Sequence, residues 1–183
     1  MGASRKPGGR SRIVLRAPTA ADEDRYIAAM RASRTLHGGF VGPTTTPAAF
    51  DKLLRRAETD GFEPMLAFRR DDGAIVGFVN ISEIVRGSLQ GGFIGYGGVA
   101  GQTRQGYMTE AVGLAVRRAF TDLRLHRLEA NIQPGNAASI ALARRCGFEL
   151  EGFSPRYLKV GGRWRDHERW AIRAEQWRAR RSA

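Results

Sequence analysis

The stretch from Ile94 to Leu123 constrains the fold more than any other part of the chain. Ile94, Tyr96 and Val99 are strand-type residues. Glycines at 95, 97, 98 and 101 leave that strand's backbone open to close approach. The segment Gln102 to Gly106 makes a turn, and from Thr109 the period changes. Val112, Ala115/Val116, Ala119/Phe120 and Leu123 then recur on one helical face. A helix starting at a glycine turn presents unpaired N–H groups and the positive end of its dipole. With Arg104 beside it, this strand-turn-helix unit reads as an anion site suited to phosphate. Neither common nucleotide motif accounts for it. The glycines at 95, 97 and 98 lie in the strand rather than the turn, and no Gly-Lys-Ser/Thr follows.

On either side of this unit the chain alternates short elements. Ile13 to Ala17 alternates as a strand. Thr19 or Asp22 can cap a helix carrying Tyr26, Ile27 and Met30. Residues 35–46 read as loop, and Pro47 opens a helix with Phe50, Leu53, Leu54 and Ala57 on one face. Met65 to Arg69 is a strand, Asp71 to Gly73 a hairpin turn, and Ile75 to Ile84 a longer strand. Its residues are apolar on both faces up to Asn80, so it is central. Beyond the signature helix, Leu128, Ala130 and Ile132 alternate as a strand. Asn136 caps a helix that ends at Gly147, and two long strands, Phe148 to Val160 and Arg163 to Ile172, join at Gly161-Gly162. The order β-α-α-β-β-β-α-β-α-β-β predicts an α+β fold, a mixed, mostly antiparallel sheet of about seven strands with helices on both faces.

At 183 residues and 42% hydrophobic content, one domain is expected, residues 12–174. Basic tails flank it at 1–11, read as disordered, and at 175–183. No apolar run approaches the roughly 18–20 residues of a membrane span, and no secretory signal precedes the domain. The single cysteine, Cys146, excludes an internal disulfide; a cytoplasmic location is the expectation. No Cys/His set has metal spacing, so no metal is expected. The formal charge of +12 has two readings. It steers the protein to RNA or the ribosome, with weak contact through the tails, or it reflects a bias toward arginine.

Three separated motifs carry a resemblance. Gln105-Gly-Tyr-Met-Thr-Glu-Ala111 resembles the coenzyme A signature of the GNAT acetyltransferases, with Gly106 at its central glycine. Asn136-Ala-Ala-Ser139 through Gly152, and Tyr157-Leu158 followed by Gly162-Arg-Trp-Arg-Asp166-His167, are similar to the RimJ/RimL branch. That branch acetylates the N-termini of ribosomal proteins. The resemblance runs from about Ile13 to Ile172. Thr103 departs from the usual Gln or Arg, and Met108 from the usual small residue.

The resemblance implies an acetyl-CoA-dependent acyltransferase working by direct attack in a ternary complex, as a monomer or homodimer. Its substrate would be the N-terminal α-amine (Ala or Ser type) of a ribosomal protein. The alternatives are a small-molecule amine or a lysine as acceptor, or a non-catalytic coenzyme A binder associated with RNA. Coenzyme A would pair with exposed backbone at Val99, Ala100 and Gly101. Its pyrophosphate would meet the N–H groups of Arg104, Gln105, Gly106, Tyr107, Met108 and Thr109. Asn136 would touch the pantetheine arm while capping its helix. The family's thiolate-protonating tyrosine is replaced here by Ala143, so Ser139 is the expected replacement. Glu83 is the candidate base, although an α-amine, with a pKa near 8, can lose its proton through water alone. Asp166 and His167 are expected to hold the peptide or order the C-terminal hairpin. Trp164 and Trp170, on one strand face, are expected in the core.

Overall fold

In the computed structural model, residues 11–182 are described. The expected tail at 1–11 falls almost wholly outside them. Seven strands form one sheet in the order β1-β2-β3-β4-β5-β7-β6. They are β1 Ile13–Arg16, β2 Glu63–Arg69, β3 Ile75–Val85, β4 Gly91–Gly98, β5 Arg127–Ile132, β6 Glu149–Val160 and β7 Arg163–Arg173. The helices are α1 Glu23–Ala32, α2 Arg34–His37, α3 Pro47–Ala57, α4 Tyr107–Thr121, α5 Ala137–Cys146 and α6 Ala174–Ser182.

The sheet is antiparallel except at its centre. There β4 runs parallel to β5, pairing only at Gly91↔Arg127, Gly92↔Leu128 and Phe93↔Glu129. Past Phe93, β4 keeps β3 as its partner, and past Glu129, β5 keeps β7. The two halves of the sheet therefore part where the glycine-rich end of β4 begins. Each half is held by its outer neighbour, which lets the inner edges stay open without unfolding either strand.

Apolar side chains cover both faces. On one, Val112, Val116 and Phe120 of α4 and Leu142 of α5 pack with Val79, Leu128 and Ile172. On the other, Tyr26, Ile27 and Met30 of α1 and Phe50 of α3 pack on Leu66, Phe68 and Phe78. Local chemistry explains the helix ends. Thr46 Oγ1 accepts the Ala49 N–H ahead of Pro47, Asn136 Oδ1 accepts the Ser139 N–H, and Gly147 closes α5 in the left-handed conformation.

Three expectations are corrected. The loop at 35–46 begins inside a short helix, α2, which buries His37. The expected C-terminal tail is helix α6, anchored by Trp177 against Phe120 with ring centroids 5.6 Å apart. Trp170 is in the core, but Trp164 is 61% exposed. The two share a strand face, yet Trp164 pairs with Lys159 near the tip of the β6–β7 hairpin, where no helix covers it.

Candidate active site

The gap between β4 and β5 opens into a cleft of about 440 Å³. Register decides which side chains face it from each side. Directly paired residues share a face. Asn80 is opposite Gly95 and Phe78 opposite Gly97, so these lie on the α1–α3 side. Asn131 is opposite Arg169, so Asn131, Gln133 and His167 lie on that side too. Tyr96 lies on the other side, where its phenol donates to the Ser139 carbonyl at 3.1 Å. Burial raises the Tyr96 phenol above its ordinary range, and the proton stays on that oxygen. The cleft thus has two mouths, one facing α4 and α5, the other facing α1 and the 40–44 loop.

On the first side stands the turn before α4. Arg104 and Gly106 are both left-handed, at φ +61° and +83°. Such turns gather successive N–H groups into an anion-binding concavity. Among the described residues, no acceptor meets the N–H groups of residues 103 to 109. Gln102 Oε1 is buried without a partner. The loop is held from outside: Arg12 donates to the Gln105 carbonyl at 2.9 Å and pairs with Glu110 at 2.5 Å. The Arg12 and Arg69 guanidinium groups lie 4.7 and 5.6 Å from the Tyr107 ring centre. Gln105 Nε2 donates to the Gly101 carbonyl, and Met108 packs on the main core. The Thr109 carbonyl lies 3.8 Å from Cys146 Sγ. These residues fit a diphosphate: bare amides, a helix N-terminus and arginines nearby.

The remaining expected residues divide. Asn136 and Ser139 both line the cleft. The Asn136 side chain is occupied as the helix cap, while the Ser139 side chain lies within hydrogen-bonding reach of the Tyr96 phenol. The backbone at 99 to 101 offers less than expected. The Val99 N–H is spent on the Val76 carbonyl at 2.9 Å, and the Ala100 N–H on Ser33 Oγ at 2.9 Å. Of these three amides, only that of Gly101 is left open. Glu83 is not among the residues lining the cleft. It sits left-handed in an irregular part of β3, its side chain 64% exposed and paired with Arg56 at 3.1 Å. A carboxylate so placed faces solvent rather than the cleft. Asp166 accepts the Arg156 N–H at 2.7 Å within the β6–β7 hairpin and also stands outside the cleft. His167 lines it.

Four cleft residues escape a reading of the sequence alone. Tyr96 and Asn80 look like ordinary strand residues, and Asn131 and Gln133 like solvent-facing ones. The buried, unpartnered Asn131 Oδ1 and Gln133 Nε2 give them away only once β5 is placed between β4 and β7. His37 is also new: its Nε2 lies 2.9 Å from the Gly98 carbonyl, fixing the end of β4.

The Acetyltransferase (GNAT) domain model matches residues 12–149, and the chain belongs to that family. Its relatives include the ribosomal protein uS5-alanine N-acetyltransferase of Escherichia coli, 39% identical over 112 residues, 60% of this chain and 57% of that one. The probable N-acetyltransferase YjcK of Bacillus subtilis is 41% identical over 105 residues, 57% of this chain and 58% of that one. The chain therefore spans under three-fifths of the length of these relatives. Among solved structures, Mycobacterium smegmatis RimJ in complex with CoA-disulfide superposes with a TM-score of 0.80 at 30% identity, covering 90% of this chain and 83% of that one. Vibrio cholerae spermidine N-acetyltransferase, in complex with CoA and spermine, shares the fold at a TM-score of 0.78 and 19% identity, covering 92% of this chain and 99% of that one.

Proposed function

We propose that this chain is an acetyl-CoA-dependent N-acetyltransferase that modifies the N-terminal α-amine of a protein, a ribosomal protein with a small first residue. One observation carries the choice of acceptor: among the described residues no Asp or Glu lines the cleft, and Lys159 is the one Lys or Arg that does. A polyamine brings several charges that would need counterions there, and burying an unpaired ion costs several kcal/mol. An α-amine has a pKa of about 7.7–8.0, so an appreciable fraction is neutral at pH 7. Amide side chains, which pair with a peptide backbone, suit it. The similarity to the E. coli uS5-alanine enzyme points the same way.

In this reading the amides of residues 103 to 109 bind the pyrophosphate of acetyl-CoA, and Arg12 and Glu110 hold that loop in shape. The bound cofactor supplies an activated acetyl group as a thioester. The open edge of β4 orients the pantetheine arm, with Asn136 at its side. Ser139 Oγ, with Tyr96 bonded to the same residue's carbonyl, holds a proton on the α5 side of the cleft. Asn131 and Gln133 offer one acceptor and one donor to the peptide that carries the amine.

The test is a peptide with an N-terminal alanine and an internal lysine, incubated with acetyl-CoA alone and against spermidine. Thiol release and tandem mass spectrometry should place one acetyl group on the α-amine. Acetylation of the lysine, or preferential turnover of spermidine, would reject the reading.

A further inference from the structure

His167 is 3% exposed and lines the cleft from β7. Its Nδ1 lies 2.9 Å from the Arg165 carbonyl oxygen. A carbonyl only accepts, so Nδ1 carries the hydrogen, and in the neutral ring Nε2 is left with its lone pair free. Among the described residues no donor meets Nε2. The Tyr157 ring packs edge-on against the imidazole at 6.3 Å, holding its plane. The register of β5 and β7 puts His167 on the same face as Asn131, and Gln133 lines the same cleft. Both of those neighbours bury a polar atom that has no partner. A histidine locked in one tautomer, beside two amides lacking partners, is a basic nitrogen prepared for a ligand rather than a packing residue.

We infer that Nε2 of His167 is the general base that takes the proton from the acceptor amine; this rests on the α-amine reading above. Among the described residues no carboxylate lines the cleft to do the work, and Glu83 is paired with Arg56 outside it. In the step, one N–H bond of the acceptor ammonium breaks and its electron pair stays on nitrogen. One N–H bond forms at Nε2. The imidazolium then hands that proton to water in the cleft, so the ring returns to its starting state. The Arg165 carbonyl accepts from Nδ1 throughout and stabilises the ring while it is charged.

Two measurements test this. The chain has three histidines, so ¹⁵N-histidine labelling resolves them by NMR in the native protein without substrate. His167 should be the Nδ1–H tautomer; an Nε2–H tautomer would overturn the proposal. The second uses His167→Asn, whose amide still donates to the Arg165 carbonyl but has nothing at Nε2. With an alanine-led peptide, kcat should fall about a hundredfold, while the calorimetric Kd for coenzyme A and the melting temperature stay as in the native protein. Free imidazole should restore part of the rate. A peptide led by an aminooxy group, uncharged at neutral pH, should lose far less. A fall of under about threefold, or equal falls on both acceptors, would overturn the proposal. If His167→Asn does not fold, the tautomer measurement decides alone. If native protein acetylates no α-amine, the reading of the substrate fails instead. The tautomer and the contrast between charged and uncharged amines then still judge His167 on whichever amine is used.

Discussion

Gly106 stands at φ +83° as the residue before α4, and an added Cβ would lie 3.2 Å from Arg12 Nη2. Strain and charge can be separated here. Asn tolerates the left-handed region, so Gly106→Asn should cost about 1 kcal/mol of stability and keep measurable coenzyme A binding. Gly106→Asp should fold equally well and weaken binding by calorimetry more than Gly106→Asn does, because it adds a negative charge at the turn and competes for Arg12. Ser139→Ala should lower kcat about tenfold or more while KM for acetyl-CoA moves little, as for a group that acts on a proton rather than on binding. The positions of Gly106 in its turn, Asn136 at its cap and Ser139 in the first turn of α5 were legible because each depends on its own few neighbours. Those of Asn131, Gln133 and Tyr96 were not, because facing the cleft depends on which strands lie beside β4 and β5. Glu83 lies outside the cleft for a local reason: the irregular pairing between Ser82 and Val85 accompanies its contact with Arg56.

Among the elements, the entry to α1 is held by a bidentate lock. Both Arg16 terminal nitrogens donate to Asp22 at 2.7 Å, and Thr19 donates its N–H and hydroxyl to the same carboxylate. The Arg16 guanidinium stacks on Phe68 at 4.1 Å. The Arg16 hydrogen bonds, chiefly, bring the Asp22 pKa down to about 2. Since the folded value lies below the unfolded one, the stabilisation is present above about pH 4 and is lost as pH falls toward 2. Asp22→Asn should therefore destabilise the chain by about 2 kcal/mol in denaturant titrations at neutral pH, with the difference shrinking through that acid window. Thr19 and Asp22 were recognisable as cap residues; their partner Arg16 was not, because it comes from a strand. Helix α6 was invisible for a different reason. Its sequence is mostly arginine and polar, and it is secured by Trp177 against a helix far away in the chain.

At the scale of the molecule, the site comes from where one parallel pairing stops. The succession of strands and helices along the chain could be read from alternating periods, and with it a mixed sheet carrying helices on both faces; the order of strands within the sheet could not. That β4 and β5 part after Phe93 and Glu129 could not, since it depends on β3 and β7 holding the outer edges. Two glycines of β4 test the opening. A Cβ at Gly95 meets nothing within 4 Å, whereas one at Gly97 would lie 2.5 Å from the Phe78 ring. Gly95→Val should fold normally and lower kcat/KM for a peptide about tenfold, ~1.4 kcal/mol, by narrowing the cleft. Gly97→Ala should instead cost about 1–3 kcal/mol of stability by overpacking Phe78.

Amide hydrogen exchange with and without coenzyme A asks most directly where the cofactor lies. Slowed exchange is expected at residues 103 to 109 and along Gly95 to Gly98, on the two sides of one opening. No slowing there, or slowing confined to the arginine-lined groove of Arg16, Arg25, Arg69 and Arg70, would contradict a cofactor held between the split strands and the start of α4.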